Sequence, residues 1–86
     1  MPEISRFYGI IIKMFFKDHN PPHFHAEYQG FEALFDINSL QTIEGDLPKR
    51  AKILVIEWAL EHRSELLSNW EKAKVPDNLS NIEPLE

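Results

Sequence analysis

The sequence predicts an α+β fold: an antiparallel sheet of three or four strands with one long helix packed on one face, in the order β-β-β-α. Three observations carry this prediction. Residues 10–17 are a β-branched and aromatic run that ends at the turn-forming Asp18-His19-Asn20-Pro21-Pro22. Residues 23–28 and 31–37 each alternate polar and apolar positions with only Gln29-Gly30 between them, a tight-hairpin signature in which glycine supplies a positive φ. From residue 48 to about 73 the apolar period becomes helical.

Along the chain, residues 4–8 add an edge segment before Gly9, and a further short strand is expected near residues 41–43. Asp46 is the expected helix cap, Pro48 suits the first turn, and Pro76 closes the segment after Val75. Helical projection gathers Ala51, Leu54, Val55, Trp58, His62 and Leu66 into one apolar stripe facing the sheet. His62 within it reads as a core histidine with one hydrogen bond, and Trp58 and Trp70 read as packing residues. Ile53, Ile56, Leu60 and Leu67 form a second stripe that one sheet face cannot cover. Either the C-terminal tail hides it through Ile82 and Leu85, or it is an interface, for example in a homodimer.

The 86 residues suffice for a single domain, 1–86, with one small core. Cysteine is absent, which excludes disulfides, thiolate metal sites and a cysteine nucleophile. No apolar run is long enough to span a bilayer and no secretory leader is visible, so a soluble, cytoplasmic protein without a membrane partner is expected. The net charge of −5 opposes unspecific attraction to a phosphate backbone. Lys13, Lys17 and other cations are nonetheless concentrated in the first two thirds of the chain.

Three of the four histidines lie between residues 19 and 25. Strand alternation places His23, His25 and Glu27 on an open face and Phe24, Ala26 and Tyr28 toward the core. It likewise sends Ile10, Ile12, Met14, Phe16, Phe31, Ala33, Phe35 and Ile37 inward. A two-residue Gln29-Gly30 turn pairs Tyr28 with Phe31, which sets His23 opposite Asp36 and His25 opposite Leu34. A symmetric loop over residues 18–22 sets Lys17 opposite His23, Phe15 opposite His25 and Lys13 opposite Glu27. In this arrangement Asp36 orients His23, and the lysines supply an anion site.

Two chemistries suit such a face besides plain solvent exposure. In the first, metal-independent acid/base work on a phosphodiester, His23 and His25 are the acid and base, His19 assists from the loop, and Lys13 and Lys17 contact phosphate. It requires no cofactor. In the second, His19, His23 and His25 bind a metal, with Glu27 or Asp36 as a fourth ligand. Lysines are poor neighbours for a cation, and this favours the first.

The run Asp18-His19-Asn20-Pro21-Pro22-His23-Phe24-His25, with Pro2-Glu3-Ile4, Glu57-Trp58-Ala59, Asn69-Trp70 and Ile82-Glu83-Pro84-Leu85, resembles a small bacterial family, domain of unknown function 4160. The resemblance covers nearly the whole chain. It implies a second small protein encoded alongside, in a layout similar to toxin-antitoxin pairs, hence a cognate antitoxin-like partner and an RNA-directed activity. The strand and helix order also looks like part of the double-stranded-RNA-binding-like fold of small interferase toxins that use a strand histidine. Such toxins are usually basic, and this chain is acidic. The leading expectation is therefore a toxin-like component of a two-protein module with an endoribonuclease site. The runner-up is a non-enzymatic module that docks a partner protein, and a histidine-rich metal-binding domain comes third.

Overall fold

The chain turns back on itself at two dipeptides whose residues both adopt positive φ, Tyr8-Gly9 (50° and 80°) and Gln29-Gly30 (47° and 86°). This is the backbone of type I′ turns, whose twist matches that of the strands they join. A computed structural model describes residues 3–16, 18–74 and 79–86. Its elements are β1 (Glu3–Phe7), β2 (Ile10–Lys13), β3 (His23–Tyr28), β4 (Phe31–Asp36), β5 (Thr42–Gly45), α1 (Lys49–Glu61) and α2 (Arg63–Lys72). The strands form one antiparallel meander, β1-β2-β3-β4-β5. The α+β class and the strands-then-helix order hold, but the sheet has five strands and the helix is divided.

The Gln29-Gly30 hairpin has the register its turn dictates: Tyr28 pairs with Phe31, His25 with Leu34 and His23 with Asp36. The first hairpin does not. β2 stops at Lys13, which pairs with His25, while Ile11 pairs with Glu27. Residues 14–16 and 18–22 leave the ladder: Met14 turns into the core, and residues 18–22, with a cis Asn20–Pro21 peptide, run back over β3. Phe16 and Phe31, expected inward, are both exposed.

Gly45 closes the sheet where no other residue fits. Its φ is +72°, and a Cβ there would stand 2.2 Å from the carbonyl oxygen of Glu32. Gly30 also has positive φ, but a Cβ there meets nothing within 4 Å. Gly45→Ala is therefore expected to cost at least about 2 kcal/mol and Gly30→Ala clearly less, because only the first adds a backbone clash to the φ strain. Urea midpoints of the two variants decide this, and equal shifts would contradict it.

The inner sheet face, with Ile10, Ile12, Phe24, Ala26, Ala33 and Phe35, meets Val55, Trp58 and Leu66 of the helices. Phe24 stacks on Phe35 at 5.4 Å and meets Trp58 edge-on at 5.9 Å. Asp46 is not the helix cap, since its carboxylate accepts the amide of Leu47, and Pro48 stands at the N-cap without a side-chain hydrogen bond. His62 breaks the expected single helix at φ −122°, ending α1 and starting α2. Its ring packs on Trp58 at 5.6 Å and meets Glu65 at 2.6 Å, but it is half-buried at the junction of the helices and not part of the core that the stripe predicts for it. The break redirects the chain so that Leu66, Asn69 and Trp70 are buried.

The C-terminal tail is tied to the body of the domain by hydrogen bonds. Ile82 donates its amide to Ile4 O, Trp58 Nε1 donates to Glu83 O, and Asn69 makes two hydrogen bonds with the backbone of Ser80. Ile56, Leu67 and Leu85 are half-buried against the core, whereas Ile53 and Leu60 stay exposed. Pro76, expected to close the helix, lies outside the described residues. Among the described residues no helix is long and apolar enough to cross a membrane.

Candidate functional site

β3 carries His23 and His25 on the sheet face opposite Phe24 and Ala26, and that face is not open where the histidines lie. The β2–β3 connection folds over it. Phe15 meets the His25 ring edge-on at 4.4 Å, and Pro21 O accepts a 2.7 Å hydrogen bond from His23 Nδ1. From the other direction Trp70 of α2 lies 5.2 Å from the His23 ring. His23 is consequently only 3% exposed and the His25 side chain 13%, while the His19 side chain is 85% exposed.

The three imidazoles converge on Asp18, and Asp36 has no part in this. One Asp18 oxygen, Oδ2, stands 2.9 Å from His23 Nε2 and 3.5 Å from His25 Nε2. The other, Oδ1, lies 2.9 Å from His19 Nδ1 and accepts the His19 amide. Burial alone would push the Asp18 carboxyl up; the hydrogen bonds from His19, the charge of His23 and the contact with His25 outweigh it and hold it at about 2. Asp18 is thus a carboxylate throughout the physiological range. Its signal is in the sequence, since it opens the histidine run, but it becomes readable only once the loop is known to fold back.

Asp36 does sit across from His23 in the ladder, yet its carboxylate accepts the amides of Asn38 and Ser39 and shapes the turn that follows β4. The expected Asp36 contact with His23 is replaced by Asp18 and Pro21. Lys13 is bound to Glu27 at 2.8 Å, reaching it diagonally from its place beside His25, so its charge is neutralised by a neighbouring carboxylate. Lys17 lies outside the described residues. Of the expected metal set, His23 and His25 are brought together with Asp18, one ligand atom from each lying within 4.8 Å of the others. His19 touches the far oxygen of Asp18 instead. Glu32, opposite Glu27, reaches to 3.6 Å from His25 Nδ1.

A second feature lies on α1. A cleft of about 540 Å³ is lined by Tyr8, Tyr28, Arg50, Leu54, Glu57 and Leu85. Ile53 and Leu60, exposed, extend this apolar surface along the helix, where positions 53, 57 and 60 share one face.

The family model of a domain of unknown function, DUF4160, matches residues 9–71, and the chain belongs to that family. No curated protein and no solved structure matches it significantly.

Proposed function

We propose that this DUF4160 chain is the partner-binding component of a bacterial two-protein module, docking a second small protein on α1. The observation that carries this reading is the uncovered apolar face of that helix: Ile56 and Leu67 pack against the core, while Ile53 and Leu60 are left in solvent on the helix that lines the Tyr8 and Tyr28 cleft. Isolated exposed apolar residues need no explanation, but several aligned beside an aromatic cleft form the kind of patch that a partner's side chain fills. Arg50 and Glu57 at the rim supply polar contacts of both signs.

The measurement is the affinity for the small protein encoded beside this chain, by calorimetry on the purified pair. Leu60→Asp and Ile53→Asp are each expected to weaken it by at least ~30-fold, a hot-spot loss of about 2 kcal/mol, without lowering the melting temperature. Unchanged affinity in both variants would contradict docking on α1. A concentration-dependent dimer of the chain alone, abolished by the same substitutions, would assign the face to a second copy.

The endoribonuclease reading is favoured by one feature, the Asp18–His19 pair. With Nδ1 held by the carboxylate, the exposed ring presents Nε2 outward as a general base would. His23 cannot serve as the acid partner, because it is buried and both its nitrogens are engaged. Cleavage of RNA in EDTA that is lost in His19→Ala would support this reading.

A further inference from the structure

We propose that Asp18, His23 and His25 form a binding site for a divalent transition metal of the zinc class. The site is independent of the docking face on α1. Two imidazoles and one carboxylate suit zinc and its neighbours, whereas calcium and magnesium take oxygen ligands.

Spacing is the first argument. Bonds of about 2.0–2.1 Å in a tetrahedral site separate ligand atoms by about 3.3 Å. The Asp18 Oδ2 contacts with His23 Nε2 and His25 Nε2, 2.9 and 3.5 Å, bracket that separation. Two of the three separations are thus at a metal's scale, and all three ligand atoms lie within 4.8 Å of one another.

The second argument is the far side of each ring. A ligating histidine almost always gives its other N–H to a carbonyl or a carboxylate, which fixes the tautomer and the ring's orientation. Pro21 O can only accept, so His23 Nδ1 donates to it at 2.7 Å and Nε2 is the nitrogen left to face Asp18. His25 approaches the same pattern without completing it: Nδ1 lies 3.6 Å from a Glu32 oxygen, beyond hydrogen-bond reach, and Nε2 faces Asp18 at 3.5 Å. Both rings therefore present the same nitrogen to the same carboxylate, with an acceptor behind each.

The third argument is an imidazole lacking partners. Both nitrogens of His25 are shielded from solvent and make no hydrogen bond among the described residues. Buried polar atoms are nearly always satisfied, and one that is not calls for an explanation such as an ion. A cation between His25 Nε2 and Asp18 supplies the missing partner, and a small shift of Glu32 supplies the other.

The surroundings agree. Phe15 and Trp70 give the centre an apolar wall, which strengthens ligation by excluding water. Lys13, one of the two lysines that spoke against a metal, is paired with Glu27, and the other, Lys17, lies outside the described residues. Three protein ligands leave one position for water or a partner's side chain, as in zinc sites that remain open.

The test uses the full chain, purified without a polyhistidine tag and stripped with EDTA. It is titrated with Zn2+ alone by calorimetry and with Co2+ alone by visible absorption. One equivalent of Zn2+ is expected to bind with a Kd below about 1 μM, and the Co2+ complex to show the intense ligand-field bands of a four-coordinate site. His25→Ala and Asp18→Asn are expected to weaken Zn2+ binding by at least ~100-fold, and Glu32→Gln by ~10-fold. Glu61→Gln, exposed at the end of α1, leaves it unchanged. A wild-type Kd weaker than about 0.1 mM overturns the proposal whatever the variants do. So does wild-type affinity in a folded His25→Ala chain. If that variant fails to fold, Glu32→Gln, which removes only a half-exposed carboxylate, reports on His25 in its place, and its unchanged affinity overturns the role assigned to His25.

Discussion

Asp18→Ala is expected to destabilise the domain by about 2–3 kcal/mol, more than any other single change in an exposed loop. Substitution leaves the nearly inaccessible His23 with its Nε2 facing no partner, and removing one member of a buried, hydrogen-bonded pair costs the desolvation of the group left behind. It also frees His19 and removes the contact that draws the β2–β3 connection onto β3. The effect has a pH signature. The Asp18 carboxyl has a pKa of about 2 in the fold against 3.8 for a free side chain, so the stability it contributes is present above pH 4 and lost as pH falls through 2. Urea unfolding of wild type and Asp18→Asn in EDTA should give a stability difference that shrinks as pH is lowered from 4 toward 2. A difference independent of pH over that range would show that Asp18 is not held in its charged form by the histidines.

Trp58→Ala is expected to remove most of the stability of the fold. The side chain is fully buried, packs on Phe7 at 5.4 Å and on Phe24 at 5.9 Å, and donates Nε1 to Glu83 O at 2.8 Å. Truncating a buried tryptophan costs about 3–5 kcal/mol, and the lost hydrogen bond about 1 more, in a small domain whose total is of similar size. Because that bond anchors the tail, Ile82 should lose its cover and its amide protection together with the core. Far-UV circular dichroism at room temperature should show a largely unfolded variant, and a native spectrum with a midpoint shift under about 1 kcal/mol would contradict the packing described.

What the sequence revealed follows the range of the interactions involved. The β3–β4 hairpin was readable to the residue because Gln29-Gly30 fixes both turn and register locally, and the pairing of His23 with Asp36 follows from it. Pairing, however, did not mean contact: Asp36 has nearer donors in the amides of Asn38 and Ser39. The β2–β3 connection was not readable, because its path depends on Met14 entering the core and on Pro21 meeting His23, contacts that no local pattern announces. That single misplacement moved the first hairpin by two residues and hid Asp18. The break at His62 has a similar origin. The apolar stripe runs through it without interruption, and only the burial of Leu66 and Trp70 by tertiary packing requires the chain to turn there.

Asp18, not Asp36, gathers the histidines, with His23 held at Nδ1 by Pro21 and facing Asp18 through Nε2. Long-range proton–nitrogen NMR of the imidazoles in the metal-free chain tests it most directly. The expected result is a protonated His23 Nδ1 at neutral pH, and imidazole shifts of His19, His23 and His25 that all move in Asp18→Asn and stay in place in Asp36→Asn. A His23 with a bare Nδ1, or imidazoles that respond to Asp36 and ignore Asp18, would contradict it.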